Sequence, residues 1–255
     1  MIYSHVFIKN TFCTFVLFLW CSQVFAQSAL IDHTISVGQS MSSFYMYNLS
    51  EGDQRYKEDY ETLLVKADST LLNYEKEDVM GASDIKQQWQ ALRPLLNYDE
   101  YQGADYFVPG PIRIQYRNYL NVLYKKVIES TSNELHLDQH LALMAFNMEM
   151  ITARFFDISS SLYGGQSLTS EDMRMDPSKV SKQIKHNFQL LKKQATDKKL
   201  KRLISSIENK WNFIERTVVN YEEESAYLLV YYNKRKIHRL INTSQDLLLA
   251  DFQHG

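Results

Sequence analysis

Beyond residue 26 the chain has no cysteine: Cys13 and Cys21 are the only two. The remainder therefore has no disulfide, no thiolate nucleophile and no Cys-ligated metal, and its core must come from packing alone. Glycine and proline are also scarce, 8 and 4 in 255 residues. So few turn-formers do not supply the many tight turns of an all-β fold, which favours long helices. Formal net charge is −2, without the clustered positive face of a nucleic-acid binder, so nucleic acid is not an expected partner. Also absent are Gly-x-Ser-x-Gly, Gly-x-x-x-x-Gly-Lys and His-Glu-x-x-His, the loops and ligand pairs of common hydrolases, nucleotide enzymes and metalloproteases. No catalytic residue, cofactor or metal is expected.

The N-terminus reads as an export signal. Lys9 precedes an apolar run from Phe12 to Trp20, and small residues at Val24 and Ala26 close it. The run is shorter than the roughly 20 residues that span a bilayer comfortably, so cleavage after Ala26 and a periplasmic location are expected, an uncleaved anchor being the alternative. Residues 27–255 then carry 27 Lys and Arg against 30 Asp and Glu, a charge of −3.

Apolar residues then recur at three- and four-residue spacing, which predicts amphipathic helices. The stripes are Leu141, Met144, Met148, Ile151, Phe155, Ile158 and Leu162; Val180, Ile184, Phe188 and Leu191; Leu200 through Ile204, Ile207, Trp211 and Ile214 to Val218; and Tyr227, Val230, Ile237, Ile241 and Leu248. The first half follows the same plan, with helices over Ile31–Leu49 and Tyr56–Leu72, a short one around Trp89, and a fourth opened by Pro109-Gly110-Pro111. Asp176-Pro177 and Thr196-Asp197 stand where helix N-caps belong, and Glu222-Glu223-Glu224 at the start of the last helix. The chain is thus expected to be all-α, with residues 1–26 as signal and two tandem antiparallel bundles of about four helices, 27–131 and 132–255. One tryptophan falls in the third helix of each half, within Ile85-x-x-x-Trp89-x-x-Leu92 and Ile207-x-x-x-Trp211-x-x-Ile214. That matching order is the signature of an internal repeat.

The first helix of each half carries Met41-Ser42-Ser43-Phe44-Tyr45-Met46 and Met150-Ile151-Thr152-Ala153-Arg154-Phe155. These resemble the Met-Leu-Ser-Gln-Arg-Met helix of the PilJ-type domain, the periplasmic N-terminal domain of type IV pilus methyl-accepting chemotaxis transducers. Trp89 and Trp211 match the Trp helix of that family, and the domain is similar in turn to nitrate/nitrite sensor domains. Met150, Thr152 and Arg154 match the pattern's Met, Ser and Arg; Met41, Ser43 and Met46 match in the first copy, where Tyr45 replaces the Arg, and neither copy has the Gln. The resemblance implies a sensory or ligand-binding module with Arg154, Thr152, Met150 and Ser43 as binding residues. It implies a small anion as ligand, because guanidinium is always charged and its donors form a planar fork, and a membrane-bound sensor or transducer as partner. The competing reading turns Arg154 outward to pair with Asp157 or Glu149. An envelope scaffold or protein-interaction module without a small ligand is the alternative function, and the oligomeric state stays open.

Three further features have bland and sharp readings. His136 and His140 lie one helical turn apart, a spacing that binds metal given further ligands, but the stretch also reads as a polar helix start. The segment from Tyr98 to Val108 is rich in aromatics and acids, suited to a binding loop or to a lid over the first bundle. Lys192, Lys193, Lys198, Lys199, Lys201 and Arg202 form a local basic patch that suits acidic headgroups, an acidic partner or plain solvation.

Overall fold

The computed structural model describes residues 4–96, 108–131, 135–161, 175–220 and 226–254, with side chains from 27 to 250. Among the described residues there are eight α-helices and no strand: α1 (Ser4–Leu49), α2 (Gln54–Glu77), α3 (Val79–Leu92, extended by a 3₁₀ turn, Arg93–Leu96), α4 (Gly110–Ser130), α5 (Leu137–Ser159), α6 (Pro177–Gln194), α7 (Lys198–Asn220) and α8 (Tyr227–His254). The fold is all-α. Among the described residues no helix is long and apolar enough to cross a membrane.

Helix ends fall where side chains satisfy free backbone N–H groups. Asp53 accepts from the Arg55 N–H at 3.0 Å and Asp78 from the Gly81 N–H at 2.8 Å. Asp176 accepts from Ser178 and Lys179, with Pro177 as the first helical residue, and Asp197 accepts from Leu200 at 2.7 Å. Pro109 precedes α4 as expected, with Pro111 in its first turn. α1 ends in a left-handed turn at Glu51 (φ 53°) and Gly52 (φ 87°), where the Gly52 N–H bonds the Tyr47 carbonyl at 2.9 Å, a common helix stop. The acids at 222–224 lie outside the described residues, as does Leu162 at the end of the α5 stripe.

Two kinds of helix are present. α2, α6 and α7 each bury one stripe, such as Tyr56, Tyr60, Leu64, Ala67, Leu71 and Tyr74 of α2. By contrast α5 is buried around its circumference, including Phe146, Asn147, Glu149, Thr152, Phe156 and Asp157 beside the expected stripe. From Leu30 to Tyr47 α1 is also buried almost all round. A helix with no polar face belongs in the interior, and α1 and α5 are the two interior rods.

In the first half α2 and α4 flank α1 and α3 bridges them; in the second α6 and α8 flank α5 and α7 bridges them. α4 also touches α5, and α8 touches α1. The two four-helix units meet along α1 and α5 and share one hydrophobic core. α1 and α5 run parallel: Ile31 shares a pocket with Leu135 and Ala142, Gly38 lies against Glu149, and Met41 shares a pocket with Met150 and Asp157. The two segments aligned in sequence, beginning at Met41 and Met150, therefore lie side by side at one level.

Trp89 and Trp211 both face inward from the third helix of their unit. Their surroundings differ chemically. The Trp89 indole N–H donates to Asp68 Oδ1 at 2.7 Å, and its ring meets His33 and Tyr119. The fully buried Trp211 has no hydrogen-bond partner for its N–H among the described residues.

Candidate functional site

Polar chemistry concentrates on α5, which carries two buried carboxylates two helical turns apart. Asp157 faces α4. Its carboxylate accepts from Arg113 Nη1 at 3.3 Å and, more closely, from Arg117 Nε. Arg113 also donates to the Asp157 carbonyl and Ser160 Oγ, both at 2.9 Å, and to the carbonyls of Val108 and Ser160. Its guanidinium lies over the Tyr45 ring, 4.9 Å from the centroid. Burial, reinforced by the Asp157 charge, raises the Tyr45 hydroxyl pKa well above its ordinary value.

Beside this pair is a cavity of about 30 Å³ lined by Met41, Arg117, Leu120, Asn121, Met150, Arg154, Asp157 and Met175. That volume exceeds the roughly 10–15 Å³ one water needs, so it is water-sized as it stands. Three guanidinium groups, Arg113, Arg117 and Arg154, thus cluster around one carboxylate. The methionine and leucine side chains in its walls keep the effective dielectric low, which strengthens the charge interactions there.

Glu149, fully buried, faces α1 and α8. It accepts from Lys234 Nζ and His238 Nε2, both at 2.7 Å, and from Ser42 Oγ at 3.5 Å. Burial pushes its carboxyl pKa up, but Lys234 and then His238 outweigh that and hold it below the usual value. Burial likewise draws the Lys234 ammonium pKa down, against the attraction of Glu149. α1 makes room through Gly38, where a Cβ would meet Glu149 Cγ at 2.7 Å.

The sequence-derived binding residues separate. Met150 and half-buried Arg154 come together at the cavity with Met41. Thr152 bonds back to the carbonyls of Met148 and Glu149 in its own helix. Ser43 pairs at 2.9 Å with Tyr231, whose hydroxyl reaches Asp59 across the other side of α1. Arg154 is not turned to solvent, and the two carboxylates proposed for it are engaged by Arg113 and Arg117 and by Lys234 and His238.

His136 and His140 do not converge. His136 sits at the exposed N-cap of α5 and His140 is buried; no cluster of three or more potential metal ligands occurs among the described residues. Of the segment 98–108, residues up to 107 lie outside the described residues, and Val108 is buried.

Arg113, Arg117, Lys234 and His238 escaped the sequence reading. The signal for two of them was a charge inside an apolar stripe: Arg113 follows Ile112 and precedes Tyr116 by three, and Lys234 sits between Val230 and Ile237. Such a charge is rarely tolerated without a partner. No family model, no curated protein and no solved structure matches this chain.

Proposed function

We propose that this is an exported, non-catalytic helical protein of sensory or ligand-binding type that responds to a small anion and passes the response to a membrane-bound partner. The reading rests on its resemblance to the PilJ-type domain. The observation that carries it furthest is the convergence of Arg117, Arg154 and Asp157 on one cavity, where the two matched segments meet at Met41 and Met150. A guanidinium at the cavity wall supplies the planar donors that an anion's oxygens accept from.

The water-sized cavity sets a condition. An anion enters only if side chains yield, and the walls that would yield are Met41, Met150 and Met175, unbranched and flexible enough to repack. Binding at Arg154 would thereby move α1 against α5 and couple the site to both units. Signalling needs that coupling, since a ligand shifts an equilibrium only by its differential contact with two states.

Calorimetric titration with nitrate, nitrite and sulfate tests this, on the wild type and on Arg154→Ala. Saturable heat in the wild type with at least tenfold weaker binding in the variant, the loss of about 1.4 kcal/mol expected for one charged hydrogen bond, supports it. Equal binding by both, or none by the wild type, removes it.

A further inference from the structure

The ends of the bundle differ. α1 and α5 start at the end marked by Gln27, so the α2–α3 turn, the start of α5, the α6–α7 turn and the last turns of α8 gather there. Gln27 and Leu30 share a pocket with Tyr74 and Asp78 of the α2–α3 turn, and Gln27, Ser28 and Ile31 share another with Leu135, Asp138 and Leu249. α6 descends antiparallel to α5, from Met175 beside Met150 to Asn187 beside His140, so its last turn and the first turn of α7 extend to that end. From the same end the α1 helix continues backward to Ser4 through the apolar run Phe12 to Trp20.

The α6–α7 turn is anchored by buried Ala195 and Leu200, and between and around them Lys192, Lys193, Lys198, Lys199, Lys201 and Arg202 are all exposed. Their nearby acids are spent: Asp197 caps α7, and Glu208 pairs with Lys192. The other five have no carboxylate within ion-pair range among the described residues. The α2–α3 turn supplies a second, independent feature. Val79 and Met80, 70% and 90% exposed, are the most exposed large apolar side chains among the described residues. Acids at this end are partly committed too, Asp78 to the cap of α3, Glu75 to Lys86 and Glu129 to Lys125, with Glu77, Asp32, Asp138 and Asp246 also present.

From these placements we infer that the Gln27 end lies against an anionic lipid surface, with the α6–α7 turn contacting headgroup phosphates and Val79 and Met80 entering the interfacial zone. Clustered Lys and Arg are attracted to anionic headgroups, and the attraction falls off within a Debye length. Apolar side chains add contact with the headgroup–acyl boundary. The inference rests on the basic turn and the exposed apolar pair sharing one end, and owes nothing to the anion site.

The test uses the protein as purified from the exporting cell and phosphatidylcholine vesicles with or without phosphatidylglycerol. Partition onto the anionic vesicles should exceed that onto neutral ones, and Lys199→Gln and Lys201→Gln should each lower it about fivefold, the discrimination one basic residue gives near such a surface. Lys179→Gln, at the opposite end, should leave it unchanged. Lysine acylation read by mass spectrometry gives a second measure: Lys198, Lys199 and Lys201 protected by anionic vesicles, Lys179 not. Equal partition onto both vesicle types, equal protection at Lys179, or retention by a soluble acidic protein with none by vesicles would each overturn the inference. N-terminal sequencing separately reports whether residues 1–26 were removed, so a failure of the export reading is told apart from a failure at the basic turn.

Discussion

The two halves use the same helix order but different polar chemistry at their centres. Within the first unit the buried side-chain hydrogen bonds near α1 are neutral. His33 Nδ1–H donates to the Ala67 carbonyl at 3.1 Å, its Nε2 accepts from the Tyr119 hydroxyl at 2.7 Å, Ser40 meets Tyr116, and Tyr60 donates to the Leu96 carbonyl. Around α5 they are charged, with Glu149 held by Lys234 and His238, and Asp157 by Arg113 and Arg117. Neutral hydrogen bonds cost little to bury when satisfied, while buried ion pairs are costly to break from one side. The first unit is therefore tolerant at its centre, and the second is specified by a few irreplaceable partners.

The largest expected effect tests that contrast directly. Glu149→Leu strands Lys234, 5% exposed at its side chain, as a buried unpaired cation and should lower unfolding free energy by about 4 kcal/mol in urea titration. Adding Lys234→Met should recover most of the loss. A single substitution costing under about 1 kcal/mol would mean the carboxylate is not the specifying group claimed for it.

The neutral network has its own signature in pH. Burial lowers the His33 pKa to about 4 from 6.5. The unfolded chain therefore binds a proton that the folded chain refuses between those values, and stability falls as pH drops from 6.5 toward 4. The window corresponds to about 3 kcal/mol, and His33→Gln should flatten it. Glu149 acts lower down. With its folded pKa below 4.5, its contribution is present above the unfolded value and lost as pH falls through the folded one. An unchanged slope between pH 6.5 and 4 in the His33 variant would break the assignment.

A smaller effect is expected where the halves touch. Helix propensity alone predicts that Gly38→Ala stabilises by about 1 kcal/mol. Because the new methyl would press on a carboxylate pinned by two partners, we expect a net loss of about 2 kcal/mol instead, an overpacking cost. Thermal unfolding reads the sign. The smallest effect compares the tryptophans: Trp89→Phe should cost about 1 kcal/mol more than Trp211→Phe, since only Trp89 loses a bond to a carboxylate. Equal losses would erase that distinction.

Much of this architecture was legible in the residues. Stripes such as Leu200, Ile204, Ile207, Trp211, Ile214 and Val218 gave the outer helices, and Asp176-Pro177 and Asp197 gave starts confirmed by capping bonds. α1 and α5 were harder, because a rod buried on all sides has no polar face for periodicity to detect. The candidate site was legible only in part. Arg154 and Met150 lie where an interior site requires, yet their neighbours Arg113 and Arg117 come from α4, some 40 residues earlier. That proximity depends on how α4 leans across to α5, and no local pattern encodes it. Ser43 lies apart from Arg154 for the same reason: residues 42 and 43 are adjacent in sequence but look to α5 and α8 respectively.

The parallel pairing of α1 and α5 within one polypeptide has a consequence for what such a seam can contain. Where two identical subunits meet on a two-fold axis, every residue at the axis faces its own twin, and a lone acid there would confront a second acid. Here the opposing rods differ in sequence. One can present Glu149 while the other recedes at Gly38, so the seam can be lopsided, holding an ionic centre that strict symmetry would forbid.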